Sequence, residues 1–179
     1  MRSLCMKSLA VALAATAVMA VGAPAPARAD PLPANGMTLS DINSWLRGQG
    51  CQTTIVEKES AVVCKLSDGN SIVVFGNDCT NGSCKSIEYF AGIKYEGGGV
   101  RPDDASAAVL VNGWNLNHRW IRASVDAERN VHLESEFLVV PKVDTDTLSL
   151  SLALFVKFVP DFLQYVQTSN AANPIPNPK

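Results

Sequence analysis

The sequence lacks most of the features that mark catalytic or nucleic-acid-binding sites. Its 179 residues include only two histidines, His118 and His132, and 15 basic side chains stand against 17 acidic ones. No Cys-x-x-Cys or Gly-x-Ser-x-Gly motif is present, so neither a thioredoxin-like centre nor a nucleophile elbow is indicated. A slightly acidic chain without a basic stripe also argues against nucleic acid and anionic membrane surfaces as partners. We therefore predict no catalytic residue, no metal site and no cofactor.

The N-terminus has the organisation of a secretory signal peptide over residues 1–29. Arg2 and Lys7 precede an apolar run at 9–21, and Ala27-Arg28-Ala29 fits the small-x-small cleavage site. The run is shorter than the ~20 residues that a membrane span needs, which disfavours an uncleaved anchor. Cleavage would leave 12 basic and 17 acidic side chains, a net charge of −5. We expect a periplasmic or secreted protein, most plausibly from a Gram-negative bacterium.

Four cysteines remain after this cleavage, an even number that is typical of disulfides in an oxidising compartment. Asn81-Gly82 is a strong two-residue hairpin signal. That turn places Cys79 opposite Cys84 at a non-hydrogen-bonded position, where Cα atoms come close enough for a disulfide. Cys51 then pairs with Cys64 by elimination. Because the histidines are far from the cysteines in sequence, structural disulfides are favoured over zinc or redox chemistry.

Apolar periodicity and turn residues predict an α+β domain with an antiparallel sheet of five to six strands, in the order α-β-β-β-β-α-β-β-α. A flexible lead-in at 30–36 precedes a first helix that Thr38 or Ser40 caps. Strands are predicted at 51–56, 61–66, 71–76, 86–94, 119–125 and 131–139. The central helix runs from Pro102 to about His118, after a flexible Gly97–Gly99 link. The last helix, at 148–166, carries Pro160 as a kink and precedes a disordered, proline-rich tail at 169–179.

The third and fourth strands are apolar on both sides. The Asn81-Gly82 register sets Val74 opposite Tyr89, while Val73, Phe75 and Phe90 lie on the reverse. Helices are expected to cover one side, and a partner or the terminal helix the other. No membrane span is expected in the last helix, because Lys157 and Asp161 interrupt its apolar run.

One stretch resembles a known family. A helix ending in Trp114-Asn115 is followed by Arg119-Trp120-Ile121-Arg122-Ala123, an acidic turn, and a strand from Val131 to Phe137. This pattern is similar to the core of the YbjN family, described as "putative bacterial sensory transduction regulators". The resemblance covers residues 39–166, within a single domain at 37–168. It implies a fold like that of type III secretion chaperones, a curved antiparallel sheet packed by helices, and it supplies no catalytic residue. The leader and the paired cysteines distinguish this chain from cytoplasmic members.

The function we expect is binding of a protein or peptide by an exported module with a regulatory or chaperone-like role, with homodimerisation as one option. An envelope disulfide-handling enzyme and a purely structural envelope protein are the alternatives. The candidate interaction residues are Trp114, Asn115, Phe155, Phe158 and Phe162. For Trp114 and Asn115 we favour a buried tryptophan and an asparagine that closes the helix C-terminus. For the apolar face of the last helix we favour burial over a dimer interface. His132 and Glu134 could form a dyad, but a solvated strand face accounts for them without a cleft.

Overall fold

The protein is described by a computed structural model that covers residues 29–93 and 102–172. The predicted signal peptide up to Arg28, the Gly97–Gly99 link and residues 173–179 of the predicted tail lie outside the described residues. Among the described residues, no helix combines the length and apolar character needed to cross a membrane.

Three helices and six strands follow the predicted order, and the α+β prediction is confirmed. The elements are α1 (Leu39–Gly48), β1 (Gln52–Val56), β2 (Ala61–Lys65), β3 (Ser71–Thr80), β4 (Ser83–Ile93), α2 (Asp104–Asn117), β5 (Arg122–Val125), β6 (Val131–Leu138) and α3 (Thr145–Ala172), with a 3₁₀ turn at Glu57–Glu59. Every pairing is antiparallel, and the strand order across the sheet is β1-β2-β3-β4-β6-β5.

Short polar motifs fix where the helices begin. Thr38, not Ser40, is the N-cap of α1, and it forms a capping box with Asp41. Asp103 caps α2 by accepting a hydrogen bond from the Ser106 N–H at 2.7 Å. Asp144 does the same for the Thr147 N–H at the start of α3, also at 2.7 Å. These caps satisfy main-chain donors that the first helical turn leaves unpaired.

The β3–β4 hairpin is longer than the sequence indicated. Asn81 and Gly82 have φ values of 52° and 80°, so they form the tight turn and let the strands pair up to Thr80 and Ser83. The predicted end of the third strand at Gly76 is therefore wrong. The predicted pairing of Val74 with Tyr89 is confirmed.

One core lies between the sheet and all three helices. It contains Trp45 of α1, Trp114 of α2 and Phe155 of α3, together with strand residues such as Tyr89 and Leu133. Burying one such large side chain contributes about 1.5–3 kcal/mol to stability. The last helix begins three residues earlier than predicted, at Thr145, and α3 runs past Pro160 to Ala172. The predicted tail boundary at 169 is consequently wrong by four residues.

The lead-in at 30–36 is not a free segment, so that prediction is also corrected. Leu32 donates its N–H to the Val143 carbonyl at 2.9 Å, next to an isolated bridge between Pro31 and Asp144. Met37 exchanges two main-chain hydrogen bonds with Cys84, at 3.0 and 2.8 Å. Main-chain bonds of this kind leave no side-chain pattern in the sequence, which explains why the attachment was not predicted.

Candidate interaction surface

The two faces of the sheet have different surroundings. Strand residues alternate between faces, so Val62, Val74, Tyr89 and Leu133 point into the helical core. The opposite side is here called the outer face; one row across all six strands on it consists of Thr54, Val63, Val73, Phe90, Glu134 and Arg122. The buried side chains of all three helices belong to the core on the other side. The outer face is therefore the sheet surface that the described helices leave uncovered.

Aromatic and aliphatic side chains occupy the middle of the outer face. Phe75 and Phe90 meet edge to face with ring centroids 5.9 Å apart, and the His132 ring lies 4.7 Å from Phe90. Val63 and Val73 continue the patch along neighbouring strands, and these apolar side chains are only half-buried. A continuous half-buried apolar patch on a sheet is typical of a surface that another molecule covers.

Charged residues and an exposed tryptophan border this patch. A depression of about 320 Å³ is lined by Glu88, Arg119, Trp120, Arg122, Glu134, Ser135 and Glu136. Trp120 is 86% exposed, although the Ser135 hydroxyl holds its main-chain carbonyl at 3.1 Å. Tryptophan and arginine are the residues most enriched where protein interfaces gain their affinity. The tryptophan was part of the family pattern in the sequence, but its exposure was not predicted.

Each of the three carboxylates in this depression forms an ion pair or accepts a hydrogen bond from another side chain. Glu134 lies 3.5 Å from the Arg122 guanidinium, Ser86 donates to Glu136 at 2.8 Å, and Asn77 donates to Glu88 at 3.3 Å. No group of three or more potential metal ligands occurs in the part of the chain that the structure describes. The carboxylates therefore act as oriented hydrogen-bond acceptors at the rim of the apolar patch.

Among the residues that the structure describes, His132 is the titratable ring on the outer face, and its contacts do not have the geometry of a catalytic dyad. Its Nε2 is 3.7 Å from Glu134, too long for a hydrogen bond. Ser124 lies opposite His132 in the sheet, but the Ser124 hydroxyl and His132 Nδ1 are both buried without a partner among the described residues. A serine nucleophile needs a hydrogen bond to its base, and this pair does not make one.

Two carboxyl groups with lowered pKa values lie at the starts of helices. The main-chain N–H of Ser106 lowers the pKa of Asp103, and that of Thr147 lowers the pKa of Asp144, so both shifts come from helix caps. Burial raises the pKa of Tyr89, whose hydroxyl is 2.7 Å from that of Ser151 in the core. These pKa shifts therefore come from helix caps and from burial in the core.

Most of the interaction residues predicted from the sequence lie inside the molecule. Trp114, Phe155 and Phe162 are each no more than 2% exposed, so these three side chains lie in the core and are not accessible to a partner in this fold. Trp114 donates its indole N–H to the Ile121 carbonyl at 3.1 Å. Its ring stacks on that of His118, with the ring centroids 3.6 Å apart. Phe158 is half-buried with its ring edge towards Trp114. The buried face of α3 packs on α2 and on strands β4 and β6, and Phe158 is the one of the three candidate phenylalanines that stays half-buried.

Asn115 has a role that neither sequence interpretation included. Its side-chain oxygen accepts the Ala123 N–H at 2.8 Å, and its amide donates to the Ala123 carbonyl at 3.0 Å. It does not close the helix C-terminus, where Asn117 instead donates to the Gly113 carbonyl at 3.0 Å. Asn115 thereby binds the strand edge of β5 as a neighbouring strand would.

Both predicted cysteine pairs are within bonding distance. Cys51 is joined to Cys64 with Cα atoms 5.3 Å apart, and Cys79 to Cys84 with Cα atoms 3.8 Å apart. The N–H and carbonyl of Cys84 bond to Met37, so Cys79 faces it at a non-hydrogen-bonded position, as the register argument required. Only Cys79 of the four is exposed.

The comparison with known families agrees with this architecture. The model of the YbjN family, described as "Putative bacterial sensory transduction regulator", matches residues 38–168. The chain belongs to the YbjN family. A solved structure of similar fold is that of YbjN from E. coli, titled a "putative transcription regulator", with a TM-score of 0.52 and 14% identity over 76% of this chain and 93% of that one. No curated protein matches this chain.

Membership of the YbjN family confirms the resemblance on which the fold prediction relied. At 14% identity the E. coli structure shows a shared fold alone. The family description supports a regulatory or binding module. The partner must therefore be inferred from the surfaces of this chain.

Replacing Asn115 should weaken the attachment of α2 to β5. The Asn115→Ala variant leaves the N–H and carbonyl of Ala123 without their partner, which should cost about 1–3 kcal/mol of unfolding free energy. Urea denaturation followed by circular dichroism measures this. Asn117→Ala is the matched control, because its single hydrogen bond is exposed and its loss should cost less than about 0.5 kcal/mol. Equal effects of the two substitutions would contradict the assigned role.

Proposed function

We propose that this chain is an exported, non-enzymatic binding module of the YbjN family that recognises a protein or peptide with the outer face of its sheet. The observation that carries the proposal is the uncovered apolar patch around Phe75 and Phe90, next to the exposed Trp120. A regulatory or chaperone-like role would follow from capture of a partner there. The affinity would come from covering the aromatic side chains, while the rim carboxylates and arginines would select the orientation.

The proposed export has two independent supports. One is the signal-peptide pattern at residues 1–29, and the other is the presence of two cysteine pairs at disulfide distance. Disulfides persist in the periplasm and outside the cell but are rare in the reducing cytoplasm. An exported location would place the outer face among envelope or extracellular proteins.

The alternative of a disulfide-handling enzyme has less support. Thiol–disulfide exchange needs an accessible sulfur with a low thiol pKa. Cys51, Cys64 and Cys84 are buried, and the exposed Cys79 has no Cys-x-x-Cys partner. Cys84 is also fixed by its main-chain bonds to Met37. A purely structural envelope protein would leave the exposed Trp120 and the uncovered aromatic patch unexplained.

Substitution of Trp120 should abolish partner capture without unfolding the domain. Loss of an interface tryptophan typically costs at least about 2 kcal/mol, which corresponds to about a thirtyfold weaker affinity. Immobilised mature protein, exposed to periplasmic extract of its own bacterium, would be compared as wild type and Trp120→Ala by quantitative mass spectrometry of the retained proteins.

Leu116→Ala is the matched control, because Leu116 is 84% exposed but lies on α2 and does not line the depression beside Trp120. The proposal expects specific partners to be lost with Trp120→Ala and kept with Leu116→Ala. Retention of the same proteins by all three forms, or loss with Leu116→Ala alone, would refute the outer face as the binding surface.

The proposed export is tested by the intact mass of the protein isolated from cells without reduction. We expect a chain beginning at Asp30 whose mass is lower by four hydrogens than that of the fully reduced form. Reduction followed by alkylation should then label four cysteines. A chain that keeps residues 1–29, or that reacts with alkylating reagent before reduction, would argue against export and oxidation.

A further inference from the structure

The two edges of the sheet differ in how their main-chain groups are satisfied. β1 forms one edge and pairs only with β2. No other described residue hydrogen-bonds to the main chain of Gln52–Val56. Its side chains are exposed or half-buried, and Thr54 and Ile55 are exposed. The outward N–H and carbonyl groups of β1 are therefore available to another strand within the described structure.

The opposite edge is closed. β5 pairs with β6 on one side, and on its other side Asn115 occupies both the N–H and the carbonyl of Ala123. The helix that carries Asn115 packs alongside this strand. A strand from another molecule cannot take these main-chain groups without displacing Asn115. Of the two outermost strands of the described sheet, β1 is thus the one whose outward main-chain groups have no partner.

The sequence of β1 lacks the features that proteins use to prevent edge pairing. Gln52-Thr53-Thr54-Ile55-Val56 contains no lysine or other charged residue, no proline and no glycine, and four of its five residues are β-branched. Charged residues, proline and bulges are the usual protection of an exposed edge. β-branched residues favour the extended conformation that pairing needs.

We propose that two copies of this chain associate by antiparallel pairing of their β1 strands around a two-fold axis at Thr54. Pairing centred on Thr54 is the register in which all five residues overlap. It sets Thr54 against its own copy and Thr53 against Ile55 of the partner subunit. Because β1 is uncharged, the two-fold axis brings no like charges together along the strand.

A second copy fits this edge better than an open-ended series of chains. Two-fold pairing uses the same strand of both subunits, so neither copy keeps a free β1 edge and the assembly closes as a dimer. The two six-stranded sheets then become continuous, and their outer faces lie side by side. Five paired residues make a short contact, so the dimer should form reversibly as concentration rises.

The test is sedimentation equilibrium of the oxidised mature chain, from micromolar to millimolar concentration. We expect wild-type protein to shift from the mass of one chain to that of two. Thr54→Lys places two positive charges at the axis and should raise the dissociation constant at least about tenfold. Thr54→Val, uncharged and β-branched, should preserve the dimer.

Thr80→Lys is the matched control, because it adds the same charge at an exposed strand threonine next to the β3–β4 turn. It should dimerise like the wild type. Circular dichroism of each variant verifies the fold, which an exposed threonine should not affect. A wild type that remains monomeric throughout, or a dimer equally strong in Thr54→Lys, would overturn the proposal. Partner capture by the outer face is measured separately with Trp120→Ala, so either proposal can fail alone.

Discussion

The packing of three helices on one face of a six-stranded sheet determines the rest of this structure. Trp114 is at the centre of this packing. Its ring centroid lies 4.9 Å from that of Phe162 on α3, and its indole N–H donates a hydrogen bond to the Ile121 carbonyl just before β5. Because all the helices are on this side, the apolar residues of the other face have no cover among the described elements. The same arrangement that stabilises the core therefore creates the outer face.

Hydrogen bonds between segments that are distant in the sequence attach the periphery of the sheet. Met37 binds Cys84 beside the end of β6, and the adjacent disulfide fixes Cys84 to Cys79 at the hairpin tip. Asn115 closes the β5 edge, whereas β1 keeps its outward main-chain groups free of partners in the described structure. Among the described residues, the outer face and the β1 edge are therefore the parts of the sheet that no helix or strand covers.

Local sequence patterns predicted the helices and strands. They did not predict the contacts between segments that are distant in the sequence. Asn81-Gly82 set the hairpin register and with it the Cys79–Cys84 pair, because a two-residue turn permits few alternatives. The order of helices and strands followed from periodicity and from the YbjN resemblance. Helical spacing identified Phe155 and Phe162 as an apolar stripe, but it could not tell burial against α2 from exposure to a partner. Asn115 bonds the main chain of β5 with its side-chain amide, and the lead-in bonds through its own main chain. Neither kind of contact has a sequence signature.

The most direct test of the outer face as the binding surface is methyl NMR of the mature chain during titration with periplasmic extract. Val63 and Val73 report on the outer face, while Leu150 and Leu154 are exposed on α3. The account predicts that signals of the two valines broaden or shift as a partner binds and that those of the two leucines do not. Changes confined to the leucines would place the binding surface on the helices and contradict it.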